Sequence, residues 1–172
     1  MIDLTVPLHQ TDIDKLSAGD VVSLSGEVFT ARDAAHQRMH DMLAAGQRLP
    51  FDITSAGIFY AGPCPDMPGR VINSCGPTTS SRMDAYAPEL YDLGMPFVIG
   101  KGPVSAEVQA AIARNHAVYF AAVGGAGALI ASHITAAETV AFPGLGTEAI
   151  RRLVFNRVPL IVAVDSHGDS IF

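Results

Sequence analysis

Two kinds of segment alternate along nearly the whole chain, and this alternation constrains the fold more than any other feature. Short runs of β-branched and aromatic residues, each bounded by Gly, Pro or Asp, predict β-strands. These runs cover residues 4–8, 21–24, 58–61, 71–74, 97–99, 118–123, 139–142 and 160–164. Because helical patterns separate several of them, the sequence predicts an α/β fold with a mixed sheet. The chain has 172 residues and no repeat or linker, so we expect one domain over residues 1–172.

Helical patterns cover residues 31–45, 81–93, 104–115 and 147–155. The first has the clearest boundary signals. Thr30 is its expected N-cap, Asp33 lies at the capping-box spacing, and Gly46 follows its last turn. Residues 62–70 and 142–146, which are rich in Pro and Gly, are predicted to be loops.

Composition and charge exclude several classes of function. Apolar residues make up 49% of the chain and charged residues 16%, which excludes a disordered protein. The formal net charge is −6 and no basic run occurs, so no nucleic-acid partner is expected. No apolar run reaches the roughly 20 residues of a membrane-spanning helix, and no signal-peptide pattern is visible. Two cysteines fit a reducing compartment, so we expect a cytoplasmic protein without membrane contact.

The segment 73–84 has the most unusual sequence in the chain. A predicted strand ends at Gly76-Pro77, and four hydroxyl residues, 78–81, then open a helix near Ser80 or Ser81. The free N–H groups of a helix start suit a carboxylate or phosphate, and Arg82 lies close enough to contact the same anion. The alternative is that the hydroxyls only cap the helix and Arg82 pairs with a surface carboxylate.

The predicted helix 31–45 carries a second candidate cluster. Arg32 and His36 lie four residues apart, on one face of the helix. An arginine is poorly placed at a helix start, so an anion should compensate it, and Asp33 alone could serve. His40 is four residues beyond His36, but position 37 holds Gln where a zinc protease has Glu, so no metal site is expected there.

Lys101 stands between two glycines at the end of a predicted strand, where α/β proteins place ligand contacts. The glycines of 124–127 follow another strand but lack dinucleotide-binding spacing, which indicates close packing or a turn. Cys64 and Cys75 are too few to hold an iron–sulfur cluster.

Taken together, six motifs make the chain resemble the β-subunit of iron–sulfur hydro-lyases, the class I fumarase and L(+)-tartrate dehydratase family. They occur in family order, over nearly the whole chain, at residues 30–36, 76–83, 100–102, 119–125, 146–149 and 164–168. The resemblance implies a swivelling β/β/α domain, a central mixed β structure flanked by helices. It also implies an active site shared with an α-subunit, which binds a 4Fe–4S cluster through three cysteines of its own. No metal ligand is then expected in this chain, and a partner would cover part of its charge-poor surface.

The same resemblance assigns roles to individual residues. Thr78 matches the position of the family's proposed base. His36 matches a histidine of the family that has also been given an active-site role, so it is the alternative candidate for the base. The expected substrate-binding residues are Arg32, Arg82, Lys101, Thr79 and Asp33. Removing a proton next to a carboxylate builds negative charge there, and fixed cations stabilise it. The cluster iron would act as a Lewis acid on the leaving hydroxyl.

The function implied is a fumarate hydratase β-subunit, working on a C4 dicarboxylate within a homodimer or an α2β2 assembly. A related dicarboxylate hydratase, such as L(+)-tartrate dehydratase, is the alternative, because Thr147 stands where relatives usually have Met. Pro103-Val104 also departs from the usual sequence after Gly102. A dicarboxylate-binding or scaffold module without catalysis is a hypothesis of another class. It does not explain why several cationic residues of the motifs are kept together.

Overall fold

Seven strands of the computed structural model, which describes all of residues 1–172, form one mixed sheet. They are β1 (Ile2–Thr5), β2 (Val21–Thr30), β3 (Gly57–Phe59), β4 (Phe97–Gly100), β5 (Val118–Ala121), β6 (Ile134–Ala141) and β7 (Ile150–Val164). Strands β1 to β5 pair in parallel, and β7 runs antiparallel to β2, β5 and β6. Because β7 pairs with both β5 and β2, the sheet closes into a barrel. This confirms the predicted α/β fold with a central mixed β structure.

Helices flank the barrel. They are α1 (Gln10–Ile13), α2 (Asp33–Ala44), α3 (Ala87–Asp92), α4 (Ala106–Arg114) and α5 (Gly127–Ser132), with 3₁₀ turns at Ser80–Met83 and Pro143–Glu148. Helix α2 buries Ala35, His36 and Met39 against the barrel. No helix combines the length and the apolar character needed to cross a membrane.

The core strands read as continuous apolar runs because they are buried on both faces. All four residues of β4 and all three of β3 are buried. Phe97 meets the edge of Phe120 with ring centroids 5.7 Å apart. A Cβ on Gly57 would lie 2.3 Å from the Phe97 ring, so only glycine allows β3 and β4 to approach this closely.

Several predicted boundaries were wrong. Residues 147–155 are rich in helix-forming Glu, Ala, Arg and Leu, yet from Ile150 onward they belong to β7. Pairing with β2 on one side and β6 on the other overrides that local preference. Residues 71–74 form no strand. They lie against the loop 62–70, where Cys64 N donates to Ser74 O at 2.8 Å, but the three prolines of that loop cannot donate to a ladder. The predicted helix 81–93 is split into a 3₁₀ turn and α3, with a proline in the first turn of α3.

Thr30 is not the N-cap of α2. It is fully buried at the end of β2, where its hydroxyl donates to Ala149 O at 3.3 Å and accepts from Arg151 N at 3.0 Å. Arg32 is the N-cap residue, without a side-chain cap, and Asp33 is the first residue of the helix, not its third. The threonine therefore ties the end of β2 to the start of β7.

Candidate active site

The predicted site residues collect at one rim of the barrel. Arg32 and Asp33 follow the carboxyl end of β2, and Lys101 follows that of β4. Glu148 lies just before β7, which runs antiparallel and so begins at the same rim. In α/β folds, ligands bind at the carboxyl ends of parallel strands. The barrel therefore brings residues more than 100 positions apart to one place.

The segment 77–82 crosses this rim and connects its parts. Thr78 is half-buried, and its N–H donates to Tyr60 O, just after β3, at 2.7 Å. Thr79 is exposed and bridges to Lys101 in parallel, and Ser80 N donates to Lys101 O at 2.9 Å. The structure thus places Thr78, Thr79 and Lys101, three of the predicted site residues, close together. A 3₁₀ turn of four residues replaces the expected helix start, so no α-helix begins here and the positive charge of this segment comes from side chains.

Four charged side chains form an alternating row, which we call the rim cluster: Arg82, Asp33, Arg32 and Glu148. Arg82 Nε donates to Asp33 Oδ1 at 2.8 Å. Arg32 Nε lies 3.9 Å from Asp33 Oδ2 and 4.0 Å from Glu148 Oε1, beyond hydrogen-bond distance. Glu148 Oε1 also accepts from Ala34 N at 3.3 Å, at the start of α2. The predicted alternative of a surface ion pair for Arg82 is therefore present, but its partner is Asp33, another predicted site residue.

Glu148 was missed as a site residue. It belongs to the motif at 146–149, and its acidic side chain is the signal that could have found it. Its place beside α2 depends on a contact between residues 114 positions apart, which no local pattern encodes.

Polar atoms without partners concentrate at this rim. Five buried side-chain polar atoms of the chain have no hydrogen-bond partner, and three of them are Arg32 Nε, Asp33 Oδ2 and His36 Nε2. A buried polar atom left unpaired costs about 1–3 kcal/mol, so such atoms are rare and need an explanation. Their clustering at one rim favours a site that is completed by a ligand.

His36 is held as a neutral imidazole. It is almost fully buried, its Nδ1–H donates to Arg32 O at 2.8 Å, and its ring meets the Tyr60 ring edge-on at 5.2 Å. Since a carbonyl can only accept, Nδ1 carries the proton and Nε2 presents a lone pair. Burial lowers the pKa of His36 to about 4, against weaker opposing effects of the Arg32 carbonyl and Asp33.

Lys101 is the cation of the rim that the chain leaves unneutralised. It is half-buried and takes part in none of the ion pairs. A Cβ on Gly124 would lie 3.2 Å from Lys101 Cδ, which places the 124–127 loop beside it. Close packing or a turn was predicted at 124–127, and both occur: the chain turns at Gly125, whose φ is +80°, and a Cβ on Gly127 would lie 2.5 Å from Ser74 Oγ.

The donor atoms of this chain do not suit a metal cluster. Cys64 is exposed, Cys75 is buried, and burial raises the pKa of Cys75 to about 12, which disfavours the thiolate that binds iron. The chain contains no group of three or more His, Cys, Asp or Glu side chains able to hold a metal ion.

Comparison with known proteins decides the family. The profile of the family described as Fumarase C-terminus matches residues 1–172. The chain belongs to this family. It is 40% identical, over 96% of its length, to a protein of Methanocaldococcus jannaschii that carries the provisional name of L(+)-tartrate dehydratase β-subunit, and it covers 88% of that protein. It is 31% identical to the L(+)-tartrate dehydratase β-subunit of Escherichia coli, with 98% and 85% of the two chains covered.

A second group of relatives is much longer. The anaerobic class I fumarate hydratase of Escherichia coli is 33% identical over 99% of this chain, which spans only 32% of that protein. Within the Fumarase C-terminus family, the same unit therefore occurs as a separate β-subunit and as about a third of a longer enzyme. Family membership confirms the resemblance seen in the sequence, and both sets of relatives are named as hydro-lyases.

Proposed function

We propose that this chain is the β-subunit of a two-chain iron–sulfur hydro-lyase that interconverts fumarate and L-malate, active only with its α-subunit. The observation that carries the proposal is the clustering of unpartnered Arg32, Asp33 and His36 atoms at one rim of the barrel. Both kinds of relative support the reaction class, and the separate β-subunits among them support the two-chain arrangement.

In this proposal the cations of the rim bind the two carboxylates of a C4 dicarboxylate. The ion pair of Arg82 with Asp33 uses Nε, so its two terminal nitrogens are available for a forked contact. Lys101, which has no ion pair, supplies a point charge. Negative charge grows on the carboxylate beside the departing proton, so these contacts strengthen in the transition state.

Thr78 and His36 are the two candidates for the base. The low pKa of His36 disfavours the imidazolium that proton abstraction would produce, which supports Thr78 as the base and His36 as a neutral hydrogen-bond acceptor. An alcohol is a very weak base, so Thr78 depends on the neighbouring cations Arg82 and Lys101. Thr78→Val should then abolish turnover, whereas His36→Gln, which retains an acceptor, should keep part of it.

The cluster belongs to the α-subunit in this proposal, because the cysteines of this chain do not suit it. Assembly as α2β2, or through a homodimer of this chain, would cover part of the surface of a chain in which only 16% of the residues are charged. The compartment we propose is the cytoplasm, where two free thiols remain reduced.

L(+)-tartrate dehydration is the second candidate. Its specific support is that the two relatives of similar length, in Methanocaldococcus jannaschii and Escherichia coli, both carry that name. The two substrates differ in hydroxyl groups and not in the carboxylates, so the rim cations do not choose between them. A scaffold without catalysis would have no use for Lys101 and Arg82 at one rim.

The test is anaerobic co-expression with the α-subunit, followed by hydration assays on fumarate and mesaconate and dehydration assays on L(+)-tartrate. We expect fumarate turnover by the pair and none by this chain alone. Turnover by the isolated, metal-free chain would refute the shared site. Faster turnover of L(+)-tartrate would support the second candidate, and no turnover of any dicarboxylate by a cluster-loaded pair would support the scaffold.

A further inference from the structure

Two buried polar side chains outside the rim cluster, Ser80 and Tyr119, hydrogen-bond to the backbone N–H of Lys101 and to the carbonyl of Gly102. Ser80 is fully buried and Tyr119, on β5, is 1% exposed. Their oxygens lie 2.8 Å apart. Lys101 N donates to Ser80 Oγ at 3.0 Å, and the Tyr119 hydroxyl donates to Gly102 O at 2.8 Å.

These hydrogen bonds form a ring, and the direction of each of them is fixed. The Gly102 carbonyl can only accept, so the Tyr119 proton points to it. The Ser80 hydroxyl must then donate to Tyr119, while its oxygen accepts from the Lys101 N–H. The ring runs from Lys101 through Ser80 and Tyr119 to Gly102, so it begins and ends on adjacent residues. The Ser80 N–H donates to the Lys101 carbonyl at 2.9 Å and adds a further bond.

The ring lies where strand geometry has ended. Strand β4 stops at Gly100, and Gly102 has φ +79°, so the backbone turns at Lys101, where a single bridge to Thr79 is all that remains of strand pairing. A Cβ on Gly100 would lie 1.9 Å from Ser80 Oγ, so the chain keeps glycine where the ring needs space. The turn at Lys101 is thus held by buried side chains in addition to this one bridge.

We propose that Ser80 and Tyr119 are positioning residues that fix the Lys101 turn, so that its ammonium is held ready for a substrate carboxylate. The role of Lys101 toward substrate rests on the proposed function. The inference itself concerns how this chain orients Lys101 toward any carboxylate, and it can be measured without catalysis.

The first measurement uses the fact that the chain has only two lysines, Lys15 and Lys101. NMR of the full chain labelled with ¹³Cε-lysine gives one signal from each, and malonate serves as the dicarboxylate probe. We expect malonate to shift the Lys101 signal and leave that of Lys15 in place. Tyr119→Phe and Ser80→Ala should each raise the malonate dissociation constant at Lys101 about 5- to 10-fold, the range of one lost hydrogen bond.

Tyr91→Phe is the matched control. Tyr91 is also fully buried, and its hydroxyl donates to the Val118 carbonyl at 3.4 Å, without touching Lys101. It should leave the malonate dissociation constant unchanged. If malonate does not affect Lys101 in the unmodified chain, or if Tyr119→Phe binds malonate as tightly as the control, the positioning role is refuted. If Tyr119→Phe does not fold, the malonate dissociation constant of Ser80→Ala is compared with that of the control instead.

The second measurement is a double-mutant cycle in the complex with the α-subunit. Tyr119→Phe should lower kcat/KM for fumarate about 10-fold, mainly through KM. In the Lys101→Met background the same change should cost less than about 2-fold, because Tyr119 acts through Lys101. Equal losses in both backgrounds would indicate a merely structural tyrosine and overturn the inference. If the complex has no hydro-lyase activity at all, the proposed function fails, and the malonate titration still decides the positioning role.

Discussion

Replacing Arg82 by lysine separates binding geometry from charge. The arginine side chain is about half exposed, and its Nε donates to Asp33 Oδ1 at 2.8 Å. Lysine keeps the positive charge but has neither the Nε–H nor the planar fork. It can still attract a carboxylate, but it can no longer hold both Asp33 and a substrate in fixed directions.

The structure predicts a small effect on stability and a large one on catalysis. An ion pair between partly exposed side chains contributes up to about 1 kcal/mol, so Arg82→Lys should lower the free energy of unfolding by less than that. A lost donor to transition-state charge costs about 3–4 kcal/mol, which is roughly a hundred- to a thousand-fold in rate. Most of the loss should appear in kcat/KM and only part of it in KM, since the contact strengthens as the proton leaves.

The assay is fumarate hydration by the anaerobic complex, with cluster content and subunit pairing measured for each variant. Arg114→Lys is the matched control, because the Arg114 side chain is equally exposed and pairs with Asp92 at 2.7 Å, away from the rim cluster. Because Arg114 donates to Asp92 through both Nε and Nη2, Arg114→Lys should lose at least as much stability as Arg82→Lys, and it should retain full activity. Near-normal turnover of Arg82→Lys at full cluster occupancy would refute the arginine contact.

Three further changes test other parts of the rim. Glu148→Gln should lower kcat/KM about 10-fold, because it removes the charge beside Arg32. It should cost little stability, because glutamine keeps an acceptor for the Ala34 N–H at the start of α2. Unchanged kinetics would exclude a role for Glu148. Because the folded pKa of His36, about 4, lies below the ordinary 6.5, neutral His36 contributes stability above pH 6.5 that is lost as the pH falls toward 4. The loss should reach about 3 kcal/mol in urea titrations, and His36→Gln should flatten that dependence. Gly100→Ala should destabilise the fold by about 3 kcal/mol through overpacking. Adding Ser80→Ala should restore part of the melting temperature, because contacts of 3.1 Å with the Tyr119 hydroxyl and the Tyr60 ring remain; no rescue would contradict the clash assigned to Ser80.

The strands that the sequence predicts best are those with two buried faces. The predicted runs 97–99 and 118–123 correspond to β4 and β5, because every position is apolar and each run is bounded by Gly, Pro or a turn; only the end of the second run was placed too late. The start of β7 could not be predicted in this way. Its Arg151 and Arg152 make the segment look helical, while its strand form comes from partners that are distant in sequence.

For the candidate site as well, the sequence predicts individual residues but not how they are arranged. The motifs predicted Arg32, Arg82 and Lys101 as individual residues, and the barrel places all three at one rim. Which of the side chains form ion pairs or hydrogen bonds with each other depends on how close the fold brings them. The Arg82–Asp33 contact joins residues 49 positions apart, and the ring through Tyr119 depends on where β4 and β5 end. The roles assigned to these residues remain predictions.

If the rim binds a C4 dicarboxylate, as we propose, its charges favour a site shared with another chain. Arg32, Arg82 and Lys101 supply three positive charges, and Asp33 and Glu148 supply two negative ones, so the rim has an excess of one positive charge. A C4 dicarboxylate brings two negative charges, and its binding would leave an excess of one negative charge in a partly buried place. An uncompensated charge there is costly, so we expect a further positive group to face the rim when a dicarboxylate is bound, and we place that group on the α-subunit of the proposed complex. This supports a shared site, and it predicts that the complex binds malonate more tightly than the isolated chain does. Equal affinities, measured by titration calorimetry at one salt concentration, would mean that the α-subunit adds no charge to the site.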